Sequence, residues 1–326
     1  MDAIISERGK LMNTDLYKIY HRVRPLYCPV LLIAIWGYTS IFHPDFLKIT
    51  NLFIIFLRQS SYLGILALAM SITVIVGGID FSIAATAALS STICVMLMNF
   101  HVPAAAAVVL GMLAAVFCGL LNGIILSFTV LEPYYITIGT MTLFFCGASI
   151  IKSTFPSQVL SNEFSFIGKG YVGPVPAAVL LLFLIYVIMS VILNHTYYGR
   201  YLFALGSNPT GLAFIGISTR KYKTFAYVLA AFLAGIAGII LTSRNNYVNT
   251  TQDFSYIVDA IFAITLGGVR FQGNNPRISG IFLGSLLLCV ISKCLNSFGI
   301  SVLIQDMICC LLFLFTIAAD NYCKRN

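Results

Sequence analysis

The stretch Asn194–Lys223, NHTYYGRYLFALGSNPTGLAFIGISTRKYK, sets the reading of the chain. It carries four basic residues (Arg200, Arg220, Lys221 and Lys223) and no acidic one, and glycines punctuate it at 199, 206, 211 and 216. Long apolar runs flank it on both sides, Ala177–Leu193 before and Thr224–Thr242 after. A basic, glycine-punctuated interval between two apolar runs of membrane-crossing length is expected on the cytoplasmic face of a bilayer, where lysine and arginine collect. Loops between helices usually need about two to eight residues, so this one is too long to be a simple connector. Asn208–Pro209 favours a turn followed by a restart, hence short helices lying along the membrane surface. Phe203, Leu205, Leu212, Phe214 and Ile215 would give those helices an apolar side to be covered.

Working outward, apolar segments recur along the whole chain. They run from about Leu26 to Phe42, Ser60 to Val76, Ser82 to Phe100, Ala104 to Thr129 and Tyr134 to Ile151. Beyond the two flanking runs come Tyr256–Gly267, Ile278–Leu295 and Ile300–Ala319. With 59% hydrophobic and 9% charged residues among 326, the composition excludes a soluble domain, where about 25% would be charged. Continuous apolar runs, rather than short alternating ones, predict an all-α polytopic bundle of about ten spans. The expected organisation is a basic N-terminal arm (1–25), one transmembrane domain (26–320) with the loop at 194–223, and a short tail (321–326). Placing both termini in the cytoplasm puts there the basic residues of the arm and the loop, together with Arg270, Arg277, Lys324 and Arg325. That is thirteen of the nineteen lysines and arginines. The net charge of +8 is then a topological feature and does not call for nucleic acid.

Enzyme motifs are missing. No GxxxxGK[ST], HExxH or GxSxG occurs, the four histidines do not cluster, and the nine cysteines show no metal or disulfide spacing. No catalytic or metal-binding residue is therefore expected. The polar N-terminus lacks the apolar core and small-residue site of a removable signal peptide.

Four acidic residues fall in or beside spans: Asp80, Glu132, Asp259 and Asp306. A carboxylate at membrane depth is costly and usually faces a cavity or a partner. Asp80 stands in Gly77-Gly78-Ile79-Asp80-Phe81-Ser82, where the glycines permit a break and Asp80 or Ser82 can cap the helix that follows. Gly267–Gly268 marks a second break. Asn122, Thr137, Thr140 and Thr142 are candidates to line a path for a neutral, many-hydroxyl solute, although such groups also hold membrane helices together. A weak internal echo links Ala114–Ala115-x-x-x-Gly119 and Gly123-Ile-Ile-Leu to Ala230–Ala231-x-x-x-Gly235 and Gly238-Ile-Ile-Leu. Small residues at helix contacts would produce the same look as a repeat.

Five motifs in order give the chain a familiar outline: Gly77-Gly-Ile-Asp80-Phe-Ser82, Gly119-Leu-Leu-Asn122-Gly123, Ile136-Thr137-Ile-Gly139-Thr140-Met141, Gly206-Ser-Asn208 with Gly216-Ile217, and Leu266-Gly267-Gly268. Over most of residues 55–320 it resembles the membrane permease subunits of bacterial ABC sugar importers of the ribose, xylose, galactose and autoinducer-2 type. The resemblance implies a ten-helix permease in the bacterial inner membrane, with no cofactor of its own. It also implies a second permease chain, two cytoplasmic ATPases carrying ATP and magnesium, and a periplasmic solute-binding protein. Gly206, Asn208, Phe214 and Gly216 would lie in the ATPase-coupling loop. Two stretches depart from the pattern, Pro209-Thr210-Gly211-Leu212-Ala213 and Arg270-Phe-Gln-Gly273-Asn-Asn-Pro276. The first lacks the family's usual acidic and basic residues, so contact there would rest on shape and apolar surface. The other readings are an ion-coupled secondary transporter using Asp80, Glu132 or Asp259, and a non-transporting membrane sensor.

Overall fold

In the computed structural model the described residues are 28–44, 48, 56–156, 158, 161–248, 250, 254–269 and 277–325, without the side chains of 254 and 319–325. The N-terminal arm, the 270–276 run with Arg270, and most of 45–55 lie outside them.

The described chain is almost wholly helical. The helices are α1 (Cys28–Phe42), α2 (Arg58–Ile75), α3 (Ile83–Asn99), α4 (Ala104–Phe128), α5 (Pro133–Thr154) and α6 (Asn162–Lys169). After a two-stranded hairpin, β1 (Tyr171–Val172) and β2 (Val175–Pro176), come α7 (Ala177–His195), α8 (Tyr197–Ser207) and α9 (Pro209–Phe214). The last four are α10 (Thr219–Asn245), α11 (Phe254–Leu266), α12 (Ile278–Ser297) and α13 (Val302–Arg325). Six of these (α2, α4, α5, α7, α10 and α12) are long and apolar enough to cross a membrane, and α1, α3, α11 and α13 contain shorter apolar helices. Residues 321–325 continue α13 as helix. Helix α2 has the lowest mean hydropathy of the six and carries Ser60, Ser61, Ser71 and Thr73 among its buried residues, which suits a helix shielded from lipid by its neighbours. It is the most enclosed of the long helices and packs against α3, α7, α8, α10, α11 and α12.

The echoed segments of α4 and α10 prove to be partners across one contact. A Cβ added at Gly119 would lie 2.5 Å from the Ala231 Cβ, and one at Gly235 would lie 2.7 Å from the Ala115 Cβ. Each helix thus presents small residues to those of the other, which lets the backbones approach closely. Helix contact accounts for the similarity without a repeat. At the α4 C-terminus, the Ser127 hydroxyl stands 2.8 Å from that of Thr224, and Thr224 Oγ1 donates to Gly123 O (3.1 Å).

The polar loop after α5 forms α6, begun by Ser161, whose Oγ accepts from the Phe164 N–H at 3.4 Å. One arginine and a serine fix its position. Ser243 Oγ of α10 donates to Phe164 O (2.5 Å) and accepts from Gly168 N (2.7 Å), while Arg58 Nε donates to Gly168 O (2.9 Å). Arg58 also lies over the Tyr171 ring and Arg244 over that of Tyr62. The bundle therefore has two distinct ends, one carrying α6 and the hairpin, the other carrying α8 and α9.

Candidate functional site

The site at the α8–α9 end starts where α2 stops. Gly77 N donates to Val74 O (3.1 Å) and Gly78 N to Thr73 O (2.9 Å), with Gly77 at φ +91°. This pair of bonds satisfies the last carbonyls of the helix and requires a left-handed residue at position 77, which glycine adopts without a Cβ penalty. Gly78 has the opposite property: a Cβ there would sit 2.6 Å from Tyr227 Oη and 2.7 Å from Pro133 Cγ. The junction is wedged between the start of α5 and the body of α10.

Two residues beyond Gly78, Asp80 is buried at 2% exposure. Its Oδ1 accepts from Ser82 N (2.8 Å) and Ser82 Oγ (2.6 Å). Ser82 occupies the N-cap position of α3, but its own side chain makes no capping bond. The carboxylate two residues earlier does the local work, accepting from the N–H that enters the helix. Ser82 Oγ in turn accepts from Asn122 Nδ2 (2.7 Å), which ties α3 to α4. Thr137 of α5 accepts from Phe81 N (3.2 Å) and donates to Ile79 O (3.3 Å), closing the cluster from a third helix. Two buried polar atoms here, Asn122 Oδ1 and Tyr227 Oη, have no hydrogen-bond partner among the described residues. Such atoms are costly in an apolar interior, so the cluster retains polar capacity that its own side chains leave unused.

Of the sequence-predicted polar residues, Asn122 and Thr137 join Asp80 and Ser82. Thr140 is half-buried and donates to Thr137 O (3.3 Å) one turn along. Thr142 is exposed on the opposite side of α5, with its hydroxyl turned to Ile138 O (3.2 Å), and takes no part in the cluster. Tyr227 was missed by sequence reasoning, because an aromatic residue inside an apolar run carries no signal of its own.

Below the junction lies the long loop. Helices α8 and α9 meet at Asn208, whose Oδ1 accepts from Gly211 N (2.8 Å) and Thr210 Oγ1 (2.8 Å), with Pro209 as the first residue of α9. Gly216, at φ +80°, ends α9 with the same pair of backbone bonds seen at Gly77. Leu205 and Leu212 are buried within the chain, whereas Phe214 is 91% exposed and Ile215 70%. The apolar surface that needs cover is therefore narrower than the sequence suggests. Gly206 points inward, and a Cβ there would collide with Ile75 O, the last turn of α2. A single close contact thus links α8 to the junction that carries Asp80.

The second break lies apart from this site. Gly268, at φ +84°, ends α11, and Gly267 abuts the backbone of α12 at Gly280 and Ile281.

With this geometry in view, similarity to known proteins can be placed on it. The chain is 30% identical over 321 residues to the ribose import permease protein RbsC of Haemophilus influenzae, covering 97% of this chain and 98% of that one. It is 32% identical over 284 residues to RbsC of Bacillus subtilis, covering 86% and 88% of the two chains. It is 26% identical over 297 residues to the D-allose transport system permease protein AlsC of Escherichia coli, covering 90% of each. No solved structure matches it. Residues 52–317 match a family described as branched-chain amino acid transport system / permease component, and that match takes in the cluster, both glycine breaks and the loop. The chain belongs to this permease family.

Proposed function

We propose that the chain is the permease subunit of an ATP-driven importer and forms the membrane pathway for a sugar or sugar-like solute. The observation that carries this reading is the seat of α8 on α2. Gly206 rests on Ile75 directly before the Gly77–Asp80 junction, so a force applied at α8–α9 is delivered at the glycine turn that leads to the polar cluster. In this reading two cytoplasmic ATPases, which hold ATP and magnesium, apply that force at exposed Phe214 and Ile215. Asn208 and Gly216 set the turns that present those two side chains, and Gly206 transmits the displacement. A second permease chain, identical or related, completes the pathway, and a periplasmic solute-binding protein delivers the solute. The names of the relatives, ribose and D-allose transport among them, support a sugar as cargo. The protein sits in the bacterial inner membrane with ten spans and both termini in the cytoplasm. Asn122 and Thr137, with Thr140 one turn along α5, are the hydroxyl and amide groups proposed for the path, and Thr142, on another side of α5, stands outside it. Gly77 and Gly78 shape its inner end, while Gly267 and Gly268 hold α11 against α12 apart from it.

Phe214→Asp tests the coupling. It changes a side chain that touches solvent, so the protein should reach the membrane at normal levels while ATP-dependent uptake falls at least tenfold and the ATPase no longer co-purifies. Normal uptake with the ATPase retained would refute the role given to α9. Buried Asp80 is the observation that favours the alternative, an ion-coupled carrier. Asp80→Asn keeps an acceptor oxygen for Ser82 N, so uptake should persist and should not respond to collapse of the proton or sodium gradient. Gradient-dependent uptake that disappears in Asp80→Asn would establish the carrier instead. Cysteines placed at Ser161 and Ser207 check the topology, with labelling from outside expected only at the first.

A further inference from the structure

We infer that the cleft between α7 and α12 at the α8–α9 end is a binding site for a diacyl phospholipid with an anionic headgroup. The cleft has a volume of about 560 Å³ and is open at the surface. Its two ends differ in chemistry. At one end stand Arg277, Ser279, Ser190 and Asn194; along the other run Phe183, Val187 and Phe282. Arg277 is exposed at the N-cap position of α12, and among the described residues its guanidinium has no ion-pair, hydrogen-bond or ring partner. Ser279, the second residue of the same helix, is exposed and makes no side-chain hydrogen bond among the described residues. Ser190 Oγ accepts from Asn194 Nδ2 at 3.3 Å and retains its own proton to donate. These groups, with the N–H groups of Ile278 and Ser279 that precede the first backbone bonds of α12, offer donors and positive charge but no acidic side chain.

The apolar end is suited to an acyl chain. Phe183 and Val187 are exposed, and the Phe282 ring stacks on Phe183 and edge-on to Tyr186, each at 5.6 Å. Tyr186 is locked by its bond to Gly64 O (2.9 Å), so the floor is fixed by α2. A membrane-spanning helix pair with a basic, donor-rich mouth at one end and an aromatic trough leading from it matches the two parts of a phospholipid. Charge complementarity selects the anionic class. A phosphocholine headgroup would bring a second cation to Arg277, whereas a phosphoglycerol headgroup brings only the phosphodiester.

Native mass spectrometry of the full-length protein released from mixed phosphatidylglycerol and phosphatidylcholine micelles tests the assignment. The wild type should retain phosphatidylglycerol over phosphatidylcholine. Arg277→Ala should cut that preference about fivefold, the amount one basic residue near a membrane surface supplies. Arg277→Lys should keep most of it, which guards against a simple folding defect. Arg220→Glu, a larger charge change on α10, should leave it unchanged. Val187→Trp fills the trough and should reduce retention of both lipids, with soluble glycerol phosphate failing to compete. Equal retention of the two lipids by the wild type would overturn the proposal, as would an Arg277→Ala protein with undiminished preference. Competition by glycerol phosphate alone would mean a phosphate site without an acyl trough, and would overturn it too.

Discussion

The glycine pairs Gly77–Gly78 and Gly267–Gly268 end α2 and α11 with the same two backbone hydrogen bonds, and each pair divides its labour in the same way. One glycine, Gly77 or Gly268, takes the left-handed conformation. The other, Gly78 or Gly267, makes a contact with no room for a Cβ. They differ in what is contacted. Gly78 meets the tip of Tyr227 and the ring of Pro133, side-chain atoms belonging to two other helices. Gly267 meets the main chain of α12, and Gly280 and Gly284 of α12 approach the main chain of α11 in return. The Tyr227 tip can rotate away, but the Pro133 ring and the α12 main chain move only with the helices that carry them. The first junction can yield on its Tyr227 side and the second on none, and the buried polar cluster is attached to the first.

The largest effect should come from Gly267→Ala, whose new methyl would be forced onto Gly280 O. Overpacking of this kind costs roughly 3 kcal/mol, to be seen as a sharp loss of folded protein and melting temperature in detergent. No single side-chain truncation nearby should rescue it. Gly78→Ala should cost less, about 2 kcal/mol, and here a rescue exists. Tyr227→Phe removes a buried hydroxyl that has no partner among the described residues, so alone it should be neutral or stabilising by up to about 1 kcal/mol. Combined with Gly78→Ala it should recover a measurable part of the loss in a double-mutant cycle. Strict additivity would erase the distinction between the two junctions. The smallest effect should be Gly77→Ala, at about 1 kcal/mol for the left-handed backbone alone, because no atom lies near its Cβ. Gly268→Ala should match it, since the two positions share φ near +90°. A much larger cost at Gly77 would place hidden packing there.

Much of this arrangement was legible in the chain because apolar runs and glycine punctuation report on local structure. Asn208–Pro209 marked the division between α8 and α9, and Gly77 marked the end of α2. The boundaries slipped where charge and helix disagree: α10 starts at Thr219, before its apolar run, because Lys221 and Lys223 continue the helix at its surface end. The loop after α5 concealed α6, whose apolar stripe of Phe164 and Ile167 is too short to stand out. The cluster could be named but not assembled. Asn122 and Ser82 are 40 positions apart and Thr137 and Phe81 are 56 apart, and no periodicity within a helix reports such meetings. The same limit left Thr142 grouped with Thr137, five positions along α5, although five residues carry it around to another side of the helix. For the coupling loop, the sequence could count apolar side chains without showing that Leu205 and Leu212 are spent on internal packing.

The bond between Ser243 and α6 has a mechanical consequence. Helix α10 begins just after α9 and, 27 residues long, ends two residues beyond Ser243, the serine that holds α6. At about 1.5 Å per residue it is a rod of roughly 40 Å. It makes contact with α8 and α9 near one end and is fastened to α6 near the other. If such a rod pivots at its inner end, a tilt of about ten degrees sweeps its far end through about 7 Å, and the short helix fastened there must travel with it. The two faces of the bundle are therefore geared to one shaft, and neither can be repositioned far while α10 stands still.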